Sequence, residues 1–168
     1  MKSREIVIIA HNLRSCHNVG SLLRTAEGTG VKKVYLSGYT PYPLGPDDTR
    51  MPHIATKIDK QIHKTALGAE SQVKWEHSPD ILKLIDKLRA DDYIVAGLEQ
   101  ADDSISLPSW DAGNKIALLL GRETLGIELD ILSVCDVTLE IPMLGRKESY
   151  NVVQAAAMAL YDLRFTKH

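Results

Sequence analysis

The side chains of this chain that could do chemistry fall into three groups. Asn18 and Arg24 lie in the run HNLRSCHNVGSLLRTAEGTGV at 11–31. Glu123 lies in GRETLG at 121–126, and Ser149 and Asn151 in the ESYN run that follows IPMLGRK at 141–147. A carboxylate, a guanidinium, a hydroxyl and two carboxamides can bind and orient a polar ligand through charge-assisted hydrogen bonds. Several other chemistries find no support. The chain has no G-x-x-x-x-G-K-[ST] phosphate loop. The EGTGV at 27–31 follows a helical pattern, not a strand, so Gly28 and Gly30 read as helix-terminating residues and not as a dinucleotide fingerprint. A G-x-S-x-G nucleophile elbow is missing. The histidines (11, 17, 53, 63, 77 and 168) show no H-x-x-x-H spacing, and Cys16 and Cys135 form no C-x-x-C, so no metal ligand set is expected.

Each polar group follows a stretch that reads as a buried strand. Such strands are expected at 5–10, 33–38, 92–98, 115–121 and 137–142, where apolar, largely β-branched residues stand on consecutive positions. Helical patterns alternate with them. Val19, Leu22, Leu23 and Ala26 share one face of the first. Ser78-Pro79-Asp80 opens another as cap, first-turn proline and N-terminal acid, with Ile81, Leu82, Ile85 and Leu88 as its stripe. Val152, Ala156, Ala159, Leu160 and Leu163 recur at helical spacing in the last. The alternation predicts an α/β domain with a mostly parallel sheet, in which ligands bind beyond the carboxyl ends of strands.

The totals bound the rest. At 168 residues, 44% hydrophobic and 25% charged, the chain fits one soluble domain spanning 1–168. A formal charge of -2 excludes an all-over basic nucleic-acid binder but leaves room for a local basic face. The two cysteines suit a reducing cytosol. The apolar run at 6–10 is too short for a signal-peptide core, and nothing approaches the roughly 18 apolar residues of a membrane span. A cytoplasmic location is expected.

The stretch 39–72 reads as irregular, opening on the turn-rich GYTPYPLGPDDTR. From the last residue of that run onward, Arg50, Lys57, Lys60 and Lys64 face only Asp59 before Glu70. That excursion is either a phosphate-contacting surface or a solvated helix face.

Together the three groups resemble the SpoU (TrmH-type) RNA ribose 2′-O-methyltransferases of the SPOUT superfamily. Asn18 through Arg24, followed by Thr25-Ala26-Glu27, matches N-x5-R; Gly121, Glu123 and Gly126 match G-x-E-x-x-G. Ile141-Pro142-Met143, Gly145, Ser149 and Asn151-Val152 match the third motif, and HKTALGAE at 63–70 resembles a segment of small family members. The resemblance covers roughly 11–164 and implies a parallel sheet ending in a deep trefoil knot, S-adenosylmethionine as methyl donor, RNA (tRNA or rRNA) as substrate, and a homodimer whose subunits together build each active site. It places Arg24, Asn18, Glu123, Ser149 and Asn151 in catalysis and substrate positioning. Leu98, Glu99, Gly121, Gly126, Ile141, Met143 and Tyr150 become the expected cofactor-binding positions. Because the chain starts near its first strand, RNA is expected to rest on the catalytic domain, through Arg14, Arg50, Lys57, Lys60, Lys64, Arg146 and Lys147.

Each of these residues also has a plainer reading. Asn18, Asn151 and Ser149 could cap helices, Glu123 could be a surface acid, and Arg24 could pair with Glu27 on its own helix. The Ala-rich face at 155–159 could pack across subunits or onto its own sheet. Arg24 is given the role of base in the family. A guanidinium keeps its proton, so binding the adjoining phosphate and orienting the hydroxyl is the alternative. Tyr150 stands where leucine is usual, and Val153 where a small residue is common. An idle RNA-binding module of the same fold, a base-nitrogen methyltransferase and a small-molecule α/β enzyme are the competing functions.

Overall fold

The computed structural model describes residues 4–166; residues 1–3 and 167–168, His168 among them, lie outside the described residues. The elements in chain order are β1 (Glu5–His11), α1 (Cys16–Gly28), β2 (Lys33–Ser37), α2 (Pro52–Ala66), β3 (Trp75–Ser78), α3 (Ile81–Ala90), β4 (Ile94–Leu98), β5 (Ile105–Ser106), β6 (Lys115–Leu120), α4 (Leu129–Leu132), β7 (Val137–Glu140) and α5 (Val152–Phe165). The strands form one seven-stranded sheet in the order β3-β2-β1-β6-β4-β7-β5. Every pairing is parallel. β6 inserts between β1 and β4, and β7 between β4 and β5, so two late strands fill gaps left by earlier ones.

Burial on both faces explains why the strands read as continuous apolar runs. Ile6, Ile8 and Ala10 of β1 and Ile116, Leu118 and Leu120 of β6 point into one core, shared with α1, α2 and α5. Val7, Ile9, Ala117 and Leu119 point the other way, toward α3 and Ile131 of α4. Side chains such as Ile8, Leu118 and Leu23 are 0% exposed, and each contributes about 1.5–3 kcal/mol by leaving water.

Several expectations change. The stretch at 52–66 is a regular helix, α2, not irregular chain. Ser78 does not cap α3: it is the last residue of β3, and Asp80 is the cap, accepting from the Lys83 amide at 3.1 Å. Leu82 is half exposed, and Leu84 takes its place in the buried stripe, because 81, 84/85 and 88 face one side at helical spacing. β3 and the two-residue β5 escape the apolar pattern because both are sheet edges of intermediate or greater exposure. Ala156 and Ala159 of α5 are fully buried in the chain's own core, where α5 packs beside α1. No described helix is long and apolar enough to cross a membrane.

Candidate active site

β1, β6, β4 and β7 are neighbours and run parallel, so their carboxyl ends, His11, Leu120, Leu98 and Glu140, stand along one edge of the sheet. The three polar groups follow β1, β6 and β7, and pairing in space brings together segments more than a hundred residues apart. Beyond these ends lies a half-open cavity of about 170 Å³. Its walls include Leu98, Glu99, Gly121, Glu123, Gly126, Ile141, Ser149 and Tyr150. Met143 is not in the wall, so that expected position moves out of the cavity.

Glu123 organises the junction of the first two groups. Its carboxylate accepts from the Ser15 amide at 3.1 Å, the Arg14 amide at 3.2 Å and Asn18 Nδ2 at 3.2 Å. These donors surround the N-terminus of α1, where backbone N–H groups are unpaired within the helix and the dipole favours an anion. Burial alone would raise the Glu123 pKa. Hydrogen bonds from its own amide, Ser15, Asn18 and Arg14 outweigh that and hold it below the usual carboxylate range. Glu123 is therefore a bound anion and not a free surface acid.

Asn18 does not cap α1. Ser15 does, accepting from the Asn18 amide at 3.2 Å, which leaves the Asn18 side chain free to bridge. Its Oδ1 accepts from Asn151 Nδ2 at 3.4 Å, while Asn151 Oδ1 accepts from the Val153 amide at 2.8 Å and caps α5. A chain Glu123–Asn18–Asn151 thus ties all three motifs together. Asn151 both caps and connects.

The glycines close the second loop on itself. A Cβ on Gly121 would sit 2.4 Å from the Gly126 carbonyl carbon and the Ile127 nitrogen. Gly126 has φ +67°, and a Cβ there would lie 2.0 Å from Glu99 Oε2. Glu99 in turn accepts from the Ile127 amide at 2.9 Å and the Gln100 amide at 2.9 Å. Its carboxylate is spent on shaping the loop, and both glycines are required by the turn itself. Gly145, by contrast, meets nothing within 4 Å.

Sequence reading missed the residues behind this wall. Asn12, at φ 57°, donates to Glu128 Oε1 at 2.9 Å and accepts from the Tyr39 amide at 3.1 Å. Glu128 pairs with Arg122 at 3.2 Å, and Arg122 lines the cavity next to Gly121. Buried His11 shares a hydrogen bond with Ser37 at 3.1 Å. Gln100, Thr124, Glu140 and Glu148 also line the cavity. None carries a motif spacing that would have singled it out; only their position just after strands pointed to them.

Arg24 is exposed on α1 and does not line the cavity. No ion pair with Glu27 forms among the described residues, which removes the simplest structural role for it. Among the expected phosphate contacts, Arg50 is otherwise engaged. Its guanidinium pairs with Asp48, donates to the Tyr42 and Pro43 carbonyls at 3.0 and 3.1 Å, and lies 3.6 Å from the Tyr42 ring centre. Lys147 pairs with Glu148 at 3.2 Å, and Arg14, Lys57, Lys60, Lys64 and Arg146 are exposed. No group of three or more His, Cys, Asp or Glu among the described residues is placed to hold a metal ion.

Fold and site together define an α/β protein with its ligand crevice outside the carboxyl ends of a parallel sheet. The chain belongs to the SpoU rRNA Methylase family, whose model matches residues 5–161. It is 28% identical over 162 residues to a Staphylococcus haemolyticus protein named as a TrmH family tRNA/rRNA methyltransferase, covering 96% of this chain and 59% of that one. A Staphylococcus aureus relative of the same name is also 28% identical, with the same coverage. The chain thus spans about three fifths of these relatives' length. The fold is shared with an AdoMet-bound rRNA methyltransferase from Sinorhizobium meliloti, at TM-score 0.79 and 20% identity over 96% of this chain and 56% of that one. The AdoMet complex of the SpoU methyltransferase AviRb from Streptomyces viridochromogenes matches at 0.79 and 21%, over 97% and 58%. The A. aeolicus TrmH/SpoU tRNA modifying enzyme matches at 0.79 and 18%, over 98% and 76%. The expected family and α/β fold are borne out.

Proposed function

We propose that this chain is an S-adenosylmethionine-dependent methyltransferase that methylates a ribose 2′-hydroxyl in tRNA or rRNA. The observation that carries the reading is a cavity walled by the second and third motifs at adjacent strand ends, to which the first motif is tied by the Asn18 hydrogen bonds to Glu123 and Asn151. The cavity suits the cofactor chemically. Leu98, Ile141, Val152 and Ala155 offer an apolar wall for an adenine, and Tyr150 a ring. Glu99, Glu123, Glu140 and Glu148 outnumber Arg122, a balance that favours a cation. When bound, the cofactor supplies a methyl group on positively charged sulfur, already activated for transfer.

The protein's part is then positioning and control of one proton. Holding the hydroxyl oxygen in line with the methyl carbon can supply about 7–11 kcal/mol. Asn18, Ser149 and Asn151 are the polar side chains for that task, and Glu123 fixes Asn18. Arg24 binds the phosphate beside the target ribose and orients the hydroxyl, whose proton passes to solvent water. Arg24 lies outside the cavity of its own chain, which supports a homodimer in which the partner's arginine reaches each site. The exposed Met158, Tyr161 and Phe165 on the outer side of α5 offer apolar surface for such an association. The reading carries with it the C-terminal trefoil knot of the family, one domain over 1–168 and a cytoplasmic location.

Two measurements test this. Calorimetry with S-adenosylmethionine should show binding; its absence at millimolar cofactor would favour an idle RNA-binding module. Mapping modified RNA by resistance to alkaline hydrolysis separates ribose from base products, because only a blocked 2′-hydroxyl protects the phosphodiester. An RNA methylated yet fully cleavable would replace ribose by a base nitrogen.

A further inference from the structure

Resting on the RNA methyltransferase reading above, we propose that the outer face of α2 is the track along which an RNA strand runs into the site, its phosphates held by Lys57, Lys60 and Lys64. At about 100° per residue these lysines and His53 fall within an arc of roughly 60°. They line one shallow surface groove together with Thr56 and Gln61. The three lysines hold no ion pair among the described residues, whereas Lys32, Lys33, Lys83 and Lys147 each face a carboxylate.

The neighbouring acids are turned to other work. Asp59 accepts from the Leu44 amide at 2.9 Å, and Glu70 holds His63 and the Gly68 amide. What remains is a row of cations with no internal counter-charge. From Lys57 to Lys64 the helix rises about 10 Å, the length of roughly three nucleotides at ~3.4 Å each along one strand.

The row ends at the site. Thr65, the residue after Lys64, donates its hydroxyl to the His17 carbonyl at 2.8 Å, and His17 precedes Asn18. Gly20 lets the two helices approach this closely: a Cβ there would lie 2.2 Å from the Ile62 carbonyl oxygen and 2.9 Å from the Ala66 nitrogen. A strand following the lysines is delivered to the first turn of α1, where Asn18 meets Glu123. That endpoint and the regular spacing favour a nucleic-acid strand over an acidic protein surface.

The test is the salt dependence of binding to an unstructured RNA, read by fluorescence anisotropy from about 50 to 200 mM salt. The triple variant K57Q/K60Q/K64Q should weaken binding roughly tenfold to a hundredfold near 0.1 M salt and flatten the log–log slope by about 2. Its cofactor affinity by calorimetry should stay unchanged. The charge control K83Q/K87Q, on α3 across the sheet, should keep the wild-type slope. An unaltered slope in the triple variant of a protein that does methylate RNA overturns the track and leaves the methyltransferase reading standing. A wild-type protein that neither binds the cofactor nor methylates RNA removes both. Polyglutamate matching RNA in affinity and slope overturns the proposal in favour of an acidic protein partner.

Discussion

Asn18 Nδ2 lies 3.2 Å from Glu123 Oε1, across 105 residues of sequence, and this bond joins the start of α1 to the loop after β6. The carboxylate serves the helix terminus and the site at once. Glu123→Gln keeps an acceptor but loses the charge and one acceptor oxygen. It should destabilise the protein by about 1–2 kcal/mol and lower methyl transfer by more than tenfold, measured by thermal unfolding and single-turnover kinetics. The folded-state carboxyl is held below its ordinary value, so its stabilising effect is present above the unfolded pKa near 4.3. That effect is lost as pH falls through the lower folded value.

Arg24→Ala should abolish transfer while leaving cofactor binding nearly intact, because Arg24 is absent from the cavity wall. If the arginine acts in the partner's site, mixing Arg24→Ala with Glu123→Ala subunits restores one complete site in each mixed dimer. Statistical pairing then gives about a quarter of wild-type activity. Equal loss of binding and transfer in Arg24→Ala, or no recovery on mixing, would sink this assignment.

Gly20→Ala should cost about 1–3 kcal/mol of stability in denaturant unfolding, since the new methyl meets backbone atoms of α2 that cannot swing aside. α2 must move outward to admit it. RNA affinity should fall with it, while a neighbouring exposed change such as Glu27→Ala should do neither.

His11 is 6% exposed, and burial lowers its pKa, with Glu128 partly opposing. A histidine kept neutral in the fold contributes stability above its unfolded pKa near 6.5, and that contribution fades as pH drops below it. Stability measured by denaturant unfolding should therefore decline between about pH 7 and pH 5. His11→Gln should flatten that part of the profile; an unchanged profile would refute the role.

Much of this was legible without coordinates, for physical reasons that differ by element. β1 and β6 announce themselves because strands buried on both faces need apolar side chains at every position. The edge strand β3 reads Trp-Glu-His-Ser and did not, since an edge satisfies only one side and tolerates polar residues. The shift of the α3 cap from Ser78 to Asp80 shows how little sequence alone separates two capping residues two positions apart. Arg50 illustrates the limit for charge. Its type marks it as a phosphate ligand, but an aspartate two residues earlier, an aromatic ring and two carbonyls consume it.

By itself the sequence determined the alternation of strand and helix and the residue types of the three motifs, because these depend on local spacing and burial. The tertiary structure decided what those residues do. Only the insertion of β6 and β7 between earlier strands sets residues 98, 121, 141 and 150 around one cavity. Only packing turns Gly121, Gly126 and Glu99 into a self-closing loop, and joins Glu123, Asn18 and Asn151 into one chain. Such partnerships are made through space, the side-chain bonds among them spanning 28 to 133 residues of sequence, and no local pattern encodes them.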